Sequence, residues 1–299
     1  MITNIICEEI PGNERQLKVL KLLDGIVELY KKVATSLPPD IEEAIKSAVP
    51  RESEGSTAAS SLSVILENIK RARETSRPIC QDTGVPVFYV KVPFGLSQNE
   101  LKQTILEATR EATQKVPLRP NAVDIITEKN SGDNTGEGFP IIYFDETPSG
   151  SLIIDLMLKG GGCENAGQTY KLPLEELGAQ RNLEGVRKCV LDAVQKAQGR
   201  GCPPYIMGVG IGAAKDQVAR LAKEQLMRKL NDVNRIDDLA RLEKQLLPEI
   251  NELGIGPMGL GGRTTALGVK IGVNHRHPAS YFVDVSFGCW AMRRGRLIW

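Results

Sequence analysis

The sequence has no run approaching about 18 consecutive apolar residues, so no membrane-spanning helix is expected. It also lacks a surplus of either charge. Against 38 Lys and Arg stand 37 Asp and Glu, a formal net charge of +1, which gives no electrostatic footprint for nucleic acid or an acidic membrane surface. The longest basic clusters, KRAR (Lys70–Arg73) and RRGR (Arg293–Arg296), read as solvated faces. The N-terminus, MITNIICEEIPGNERQ, shows no basic flank followed by an apolar segment, so no signal peptide is expected and the reading is of a soluble, cytoplasmic protein. Cysteine is sparse: six in 299 residues are too few for a disulfide scaffold. In a reducing compartment such thiols are buried hydrophobes, reactive groups or metal ligands.

Three familiar motifs fail in their context. Asp82-Thr83-Gly84 has the tripeptide of aspartic proteases, but it follows Cys80-Gln81 rather than an apolar strand and has no second copy. GVGIG (Gly208–Gly212) lacks the dinucleotide-loop spacing, and GIGAAK lacks the ending of a phosphate-binding loop.

What is present is a helical segment followed by alternating elements. Leu17, Leu20, Leu23, Ile26, Val27 and Tyr30 form a helical stripe over Glu14–Lys32. Pro38-Pro39-Asp40 ends it and caps a short helix to about Ser47, and Ser56–Thr75 forms a third. Val85–Pro93 alternates as a strand, Gln98–Gln114 is helical, and FPIIYFDE and SLIIDLMLKGGG are successive strands, the second ending in glycines. Leu183–Gln198 is helical, with Cys189 on its apolar face beside Val186, Val190 and Val194, where it reads as a packed core residue. A β-like run at YIMGVGIG precedes a charged helical stretch, Lys215–Ile250, broken near NDVNRIDD. TTALGVKIGV and SYFVDVSFGCWAM are two more strands. The expected fold class is mixed α/β (α+β): one domain over 1–299, with 1–75 as its helical N-terminal segment and mixed β-sheets surrounded by helices after it.

Five glycine-rich loops, among them KGGGCENAG and GPMGLGGRTT, flank strands. Each alone reads as a tight turn or as backbone held close to an anion or cofactor; together they favour a polar site built on loops. Cys80 follows Pro78, Cys202 precedes Pro203-Pro204, and Cys289 follows Gly288, so each of these thiols sits where the backbone turns. Their wide separation excludes a CxxC zinc knuckle. Two readings stand: a Cys3His zinc site using His275 or His277, or an iron–sulfur cluster with one iron left open for substrate.

RPICQDTG, LRPNAV, KGGGCENAG, CPPYIMGVGIG and FGCWAMRRG, in that order, resemble the class I, iron–sulfur-dependent fumarate hydratases and the closely similar L-tartrate dehydratases, specifically their N-terminal domain or α subunit. The resemblance runs from about Ser56 to the C-terminus. It implies a [4Fe-4S] cluster held by Cys80, Cys202 and Cys289, with one iron lacking a cysteine ligand. Cys163 stands where related sequences often carry serine and is left out of that set. The resemblance further implies Gln81, Arg119 and the glycines Gly161 and Gly162 as substrate-binding positions, Asp82 as a proton relay, and His277 as its partner. A guanidinium fork at Arg119 suits a dicarboxylate.

The implied activity is a hydro-lyase step without net redox change, hydrating fumarate to (S)-malate as in the tricarboxylic acid cycle, with L(+)-tartrate dehydration as the alternative. Single-chain relatives continue into a second domain bearing further substrate ligands, so a β subunit is expected to complete the site in an α2β2 assembly. A small dicarboxylate is the expected substrate; no nucleic-acid or membrane partner is expected. From a different class, a non-catalytic iron–sulfur or zinc sensor is the remote alternative, which leaves Gln81, Asp82, Arg119 and His277 without a purpose.

Overall fold

The computed structural model describes the backbone from Gly12 and the side chains from Val19 to Trp299; Cys7 and the Leu17 side chain lie outside the described residues. In chain order the elements are α1 (Gly12–Thr35), α2 (Pro39–Ala48), α3 (Thr57–Thr75), β1 (Val85–Pro93), α4 (Gln98–Lys115), β2 (Ile141–Thr147), β3 (Ile153–Lys159) and α5 (Gly161–Asn165). They continue as β4 (Gln168–Lys171), α6 (Leu183–Ala197), β5 (Tyr205–Gly212), α7 (Lys215–Gln225), α8 (Asp237–Glu252), β6 (Ala266–Val273), β7 (Phe282–Gly288) and β8 (Arg293–Ile298). The fold is mixed α/β, a helical N-terminal run followed by two four-stranded sheets.

Local chemistry sets the boundaries. Pro39 opens α2 at the position where a missing amide hydrogen costs nothing. The Ser56 hydroxyl accepts the Ala59 amide at 3.1 Å to cap α3, which ends on Ser76 in the left-handed region (φ 52°). The α1 stripe is buried at Leu23, Ile26, Val27 and Tyr30, but Leu20 is 53% exposed, at the edge of the stripe rather than within it.

The chain divides into two compact units. One comprises α1 up to Lys32, residues Val87–Leu156 and Gly295–Trp299. Most of the sheet ordered β2-β1-β3-β8 lies here, with β1 and β2 parallel in the register Val87↔Ile141. Tyr30 meets Phe88 edge-on at 5.7 Å between ring centroids, and its buried hydroxyl is hydrogen-bonded to Thr109 at 2.8 Å. A buried phenol with that partner is satisfied rather than orphaned.

The other unit, Val33–Pro86 and Met157–Arg294, holds the sheet ordered β4-β7-β5-β6. β7 runs antiparallel to both β4 and β5, while β5 and β6 are parallel. Every residue of β5 is buried. The period of two puts Tyr205, Met207, Val209 and Ile211 on one face, in a core shared with Val186, Val190 and Val194 of α6 and Leu242, Leu246 and Ile250 of α8. Each such aliphatic side chain, fully buried, contributes about 1.5–3 kcal/mol of transfer free energy. Cys189 is fully buried in this core, as its helical position implied. The other face of β5 carries Gly208 and Gly210. A Cβ on Gly208 would lie 2.0 Å from the Ala222 carbonyl oxygen, and one on Gly210 would lie 2.3 Å from that of Val218. GVGIG is therefore the notch into which α7 packs.

Three local readings change in the folded chain. Gly160–Gly162 do more than end β3: Gly161 opens α5. Two short strands, β4 and β8, lie where no strand pattern was read. The RRGR segment is a solvated face only at Arg296, which is 54% exposed while pairing with Asp155 at 2.7 Å: Arg293 is 1% exposed, and Arg294 pairs with Asp40 at 2.5 Å. Each of these arginines has a non-local environment that a four-residue basic string cannot reveal.

Candidate active site

Antiparallel pairing of β5 with β7 brings two of the turning cysteines together. In that register Ile206 faces Gly288, so Cys202, ahead of β5, and Cys289, just past β7, lie at the same end of the sheet. Their loops are joined directly: the Trp290 amide donates to the Cys202 carbonyl at 3.3 Å. Cys202 itself is left-handed, with φ 57°, a conformation that costs a non-glycine residue about 1–3 kcal/mol and marks a position held by its surroundings. Tyr205 supplies part of that hold. Its buried hydroxyl donates to the Gln198 carbonyl at 2.6 Å and accepts the Gly201 amide at 3.1 Å, stapling the loop that carries Cys202.

The third thiol arrives from the loop before β1. Gly84 has φ 84°, and a Cβ there would lie 2.8 Å from the Leu158 carbonyl carbon, so the loop rests directly on the end of β3. Asp82 then ties this loop to α5: Oδ1 accepts the Gly84 amide at 2.9 Å and Oδ2 accepts the Gly161 amide at 2.8 Å. Adjacent to it, the Cys80 thiol lies 3.4 Å from Gln81 Oε1.

The electrostatics show the three thiols sensing one another. Burial pushes the Cys202 thiol up, and the charges of Cys289, Cys80 and Asp82 push it further. Burial likewise raises Cys80; its own neighbours Asp82, through a backbone amide, and Arg293, through charge, offset part of that. Cys289 is held below the ordinary thiol value, first by its neighbour Cys163, against burial, and then by Arg293 and the Ala291 amide. Backbone amides two residues on thus serve the sulfurs of both Cys80 and Cys289, a donor arrangement suited to thiolates.

Cys163 belongs to the same neighbourhood, which its sequence context left undecided. It is buried on α5, its thiol donates to the Gly201 carbonyl at 3.4 Å, and the neighbouring Cys289, together with burial, pushes its pKa up. Lys159 is 3% exposed beside these groups and lies 3.2 Å from Glu164, which also pairs with Lys223 at 2.5 Å. Burial would raise the Glu164 carboxyl, but the two lysines hold it below its ordinary value.

His277, Arg119 and Gly162 complete the expected set. His277 is on the exposed loop between β6 and β7, where its Nδ1 accepts the Ala279 amide at 3.1 Å; no hydrogen bond joins it to Asp82. Arg119 is exposed in the other unit, after α4, and its carbonyl accepts Asn134 Nδ2 at 3.0 Å. Gly162 is exposed on α5 next to Gly161.

Among the described residues no three His, Cys, Asp or Glu side chains are gathered tightly enough to hold a single metal ion. Two thiolates on one zinc lie at most about 4.6 Å apart, whereas a polynuclear cluster takes its ligands at wider separations. Three thiols at turns, backbone amides aimed at two of the sulfurs, a buried cation beside them and Cys163 kept protonated next to Cys289 suit the thiolate ligands of a polynuclear cluster better than a mononuclear ion.

The family model for fumarate hydratase (Fumerase) matches residues 24–297. The chain belongs to the fumarate hydratase family. Within that family it is 50% identical over 277 residues to a Geobacillus stearothermophilus protein provisionally named fumarate hydratase class I. That alignment covers 92% of this chain but 54% of the relative, so the chain spans about half the length of that protein. A Methanocaldococcus jannaschii protein provisionally named L(+)-tartrate dehydratase subunit alpha is 40% identical, over 92% of this chain and 96% of its own. The L(+)-tartrate dehydratase subunit alpha of Escherichia coli O157:H7 is 36% identical, over 96% of this chain and 93% of its own.

Proposed function

We propose that this fumarate hydratase family chain is the cluster-holding α subunit of a hydro-lyase that interconverts fumarate and (S)-malate. The observation that carries the reading is the convergence of Cys80, Cys202 and Cys289 with Asp82 fixed beside them between two backbone amides. Those cysteines would hold a [4Fe-4S] cluster. When bound, it supplies a Lewis-acidic iron that polarises a substrate hydroxyl and carboxylate.

The chain's own residues do the rest. Asp82 accepts one amide on each carboxylate oxygen, which fixes its plane and leaves a lone pair on each oxygen to take or return a proton. Gln81 offers an amide donor to a carboxylate at the same loop position. With Nδ1 of His277 occupied as an acceptor, the neutral ring presents Nε2–H as a donor. Arg119 contributes a fork for the second carboxylate of the substrate. Gly161 and Gly162 are exposed at the opening of α5; with the Gly161 amide taken by Asp82, the Gly162 amide is the donor this reading leaves for a substrate carboxylate.

A β subunit completes the site in this reading. This chain covers 96% and 93% of two relatives named as α subunits but 54% of the Geobacillus relative. Those same names support a second reading, L(+)-tartrate dehydration, while the higher identity to the fumarate hydratase supports the first. A substrate hydroxyl that needs its own hydrogen-bond partner separates the two acids.

The test is anaerobic reconstitution with iron and sulfide, followed by iron counting on the wild type and on Cys80→Ser, Cys202→Ser and Cys289→Ser. About four irons per chain, lost in each variant, is expected. Stoichiometric zinc, or iron indifferent to those substitutions, overturns the reading. Assay of the reconstituted pair on malate and on tartrate then decides the substrate.

A further inference from the structure

Three residues with cationic side chains are buried among the described residues: Lys159, Lys270 and Arg293. Two have carboxylates: Lys159 lies 3.2 Å from Glu164, and Lys270 lies 2.8 Å from Asp232. Arg293 has none. It is 1% exposed, the largest fully buried side chain, and its Nε and Nη1 have no hydrogen-bond partner among the described residues. Its neighbour in sequence, Arg294, is by contrast paired with Asp40 at 2.5 Å.

An unpaired buried charge is among the costlier arrangements a protein can hold. It persists where something else supplies the opposite charge. Arg293 stands at the start of β8, one short turn past Cys289, and its charge acts on both Cys80 and Cys289. The anionic groups it senses are therefore two of the three thiols assigned above as cluster ligands.

We propose that Arg293 is the counter-cation of the cluster pocket, its enclosed N–H groups and charge reserved for the anionic assembly that the three thiolates bring together. This rests on the cluster-holding reading given above. A core bearing two positive charges on three thiolates is anionic overall, and each added electron makes it more so. A fixed guanidinium next to it favours the reduced state and retention of the cluster. Arg293 is a tuning residue rather than a catalytic one, since nothing places it on substrate. The neighbouring Lys159 and Lys223 share the one Glu164 carboxylate, and Lys159 Nζ is also buried without a hydrogen bond, so Lys159 adds to the positive field there, whereas Arg293 has no carboxylate at all among the described residues.

The experiment compares the full chain, reconstituted anaerobically, as wild type, Arg293→Lys and Arg293→Met. Three quantities are read: the midpoint potential by redox titration, the rate of iron loss to a chelator, and the thermal midpoint of the cluster-free protein. Arg293→Met is expected to shift the potential to more negative values and to speed iron loss by about 10- to 100-fold. Its cluster-free thermal midpoint is expected not to fall, because an uncompensated buried charge has been removed. Arg293→Lys is expected to restore most of the potential.

A Met variant with wild-type potential and iron retention overturns the proposal. So does a Met variant that unfolds or fails to fold without cluster, since Arg293 then serves the scaffold. If the wild type itself takes up no cluster, both this inference and the cluster-holding reading fall; if it does and the variants match it, only this inference falls.

Discussion

Asp82 bridges two segments far apart in the chain: its Oδ2 accepts the Gly161 amide at 2.8 Å while Oδ1 accepts the Gly84 amide at 2.9 Å. One carboxylate thereby holds the loop bearing Cys80 against the helix bearing Cys163. Its structural and proposed proton-relay roles are separable by substitution.

Asp82→Ala loses both charge-assisted bonds and should lower unfolding free energy by about 1.5–3 kcal/mol, because hydrogen bonds to charged groups carry that order of energy. Asp82→Asn keeps one acceptor oxygen and should recover part of that stability, yet it cannot carry a proton. Denaturant titration and turnover of the reconstituted pair check this: equal activity loss with unequal stability loss is the expected pattern.

Gly84→Ala places a methyl group on a residue with φ 84° and 2.8 Å from the Leu158 carbonyl carbon, inside ordinary van der Waals contact. The strain should cost about 1–3 kcal/mol. The loop and β3 must separate to relieve it, so iron retention should fall along with the thermal midpoint. A variant as stable and as iron-loaded as wild type contradicts the close packing described.

Asp40 and Arg294 form a pair with side chains 11% and 7% exposed. Burial by itself raises the Asp40 carboxyl, but the Arg294 hydrogen bonds, the Leu230 amide at 2.8 Å and the Arg294 charge together bring it below 3.8. A lowered folded-state pKa means stability that is fully present above the unfolded value and lost as pH falls below about 3.8 toward the folded one. Asp40→Ala strands a buried guanidinium and should cost about 3–5 kcal/mol near neutrality. The difference from wild type should shrink as acid protonates the wild-type carboxyl, which unfolding at a series of pH values measures.

Cys163→Ser keeps a single donor, free to serve the Gly201 carbonyl or the neighbouring Cys289, so iron content should stay near that of wild type. Cys163→Val removes the donor and adds bulk in a site where the thiol is 5% exposed, which should cost about 1–3 kcal/mol and weaken iron binding. Loss of iron in the serine variant to the level of Cys289→Ser would make Cys163 a ligand.

Much of the local architecture was legible from periodicity. The stripe of Leu23, Ile26, Val27 and Tyr30 is buried as a helix face, and Val186, Cys189, Val190 and Val194 line the core as their spacing implied. Proline and glycine beside Cys80, Cys202 and Cys289 picked out three thiols that the fold brings within electrostatic reach of one another. Cys163 was not legible. Its neighbouring glycines read as the end of a strand, whereas Gly161 starts a helix whose first free amide is taken by Asp82. Arg293 was misread for a related reason: basic strings are usually solvated, and only the turn from Cys289 into β8 carries this one inside.

By itself the sequence determined what depends on a few neighbouring residues: helix faces, strand alternation, caps, and the placing of thiols at turns. These follow from backbone periods and from the fixed or permissive φ of proline and glycine. Tertiary structure alone decided which thiols meet, which glycines become packing notches for α7, and which cation is buried without an anion. Those outcomes depend on sheet order and on contacts between residues far apart in the chain, such as Asp82 with Gly161, and no local pattern encodes which distant partner a buried charge will face.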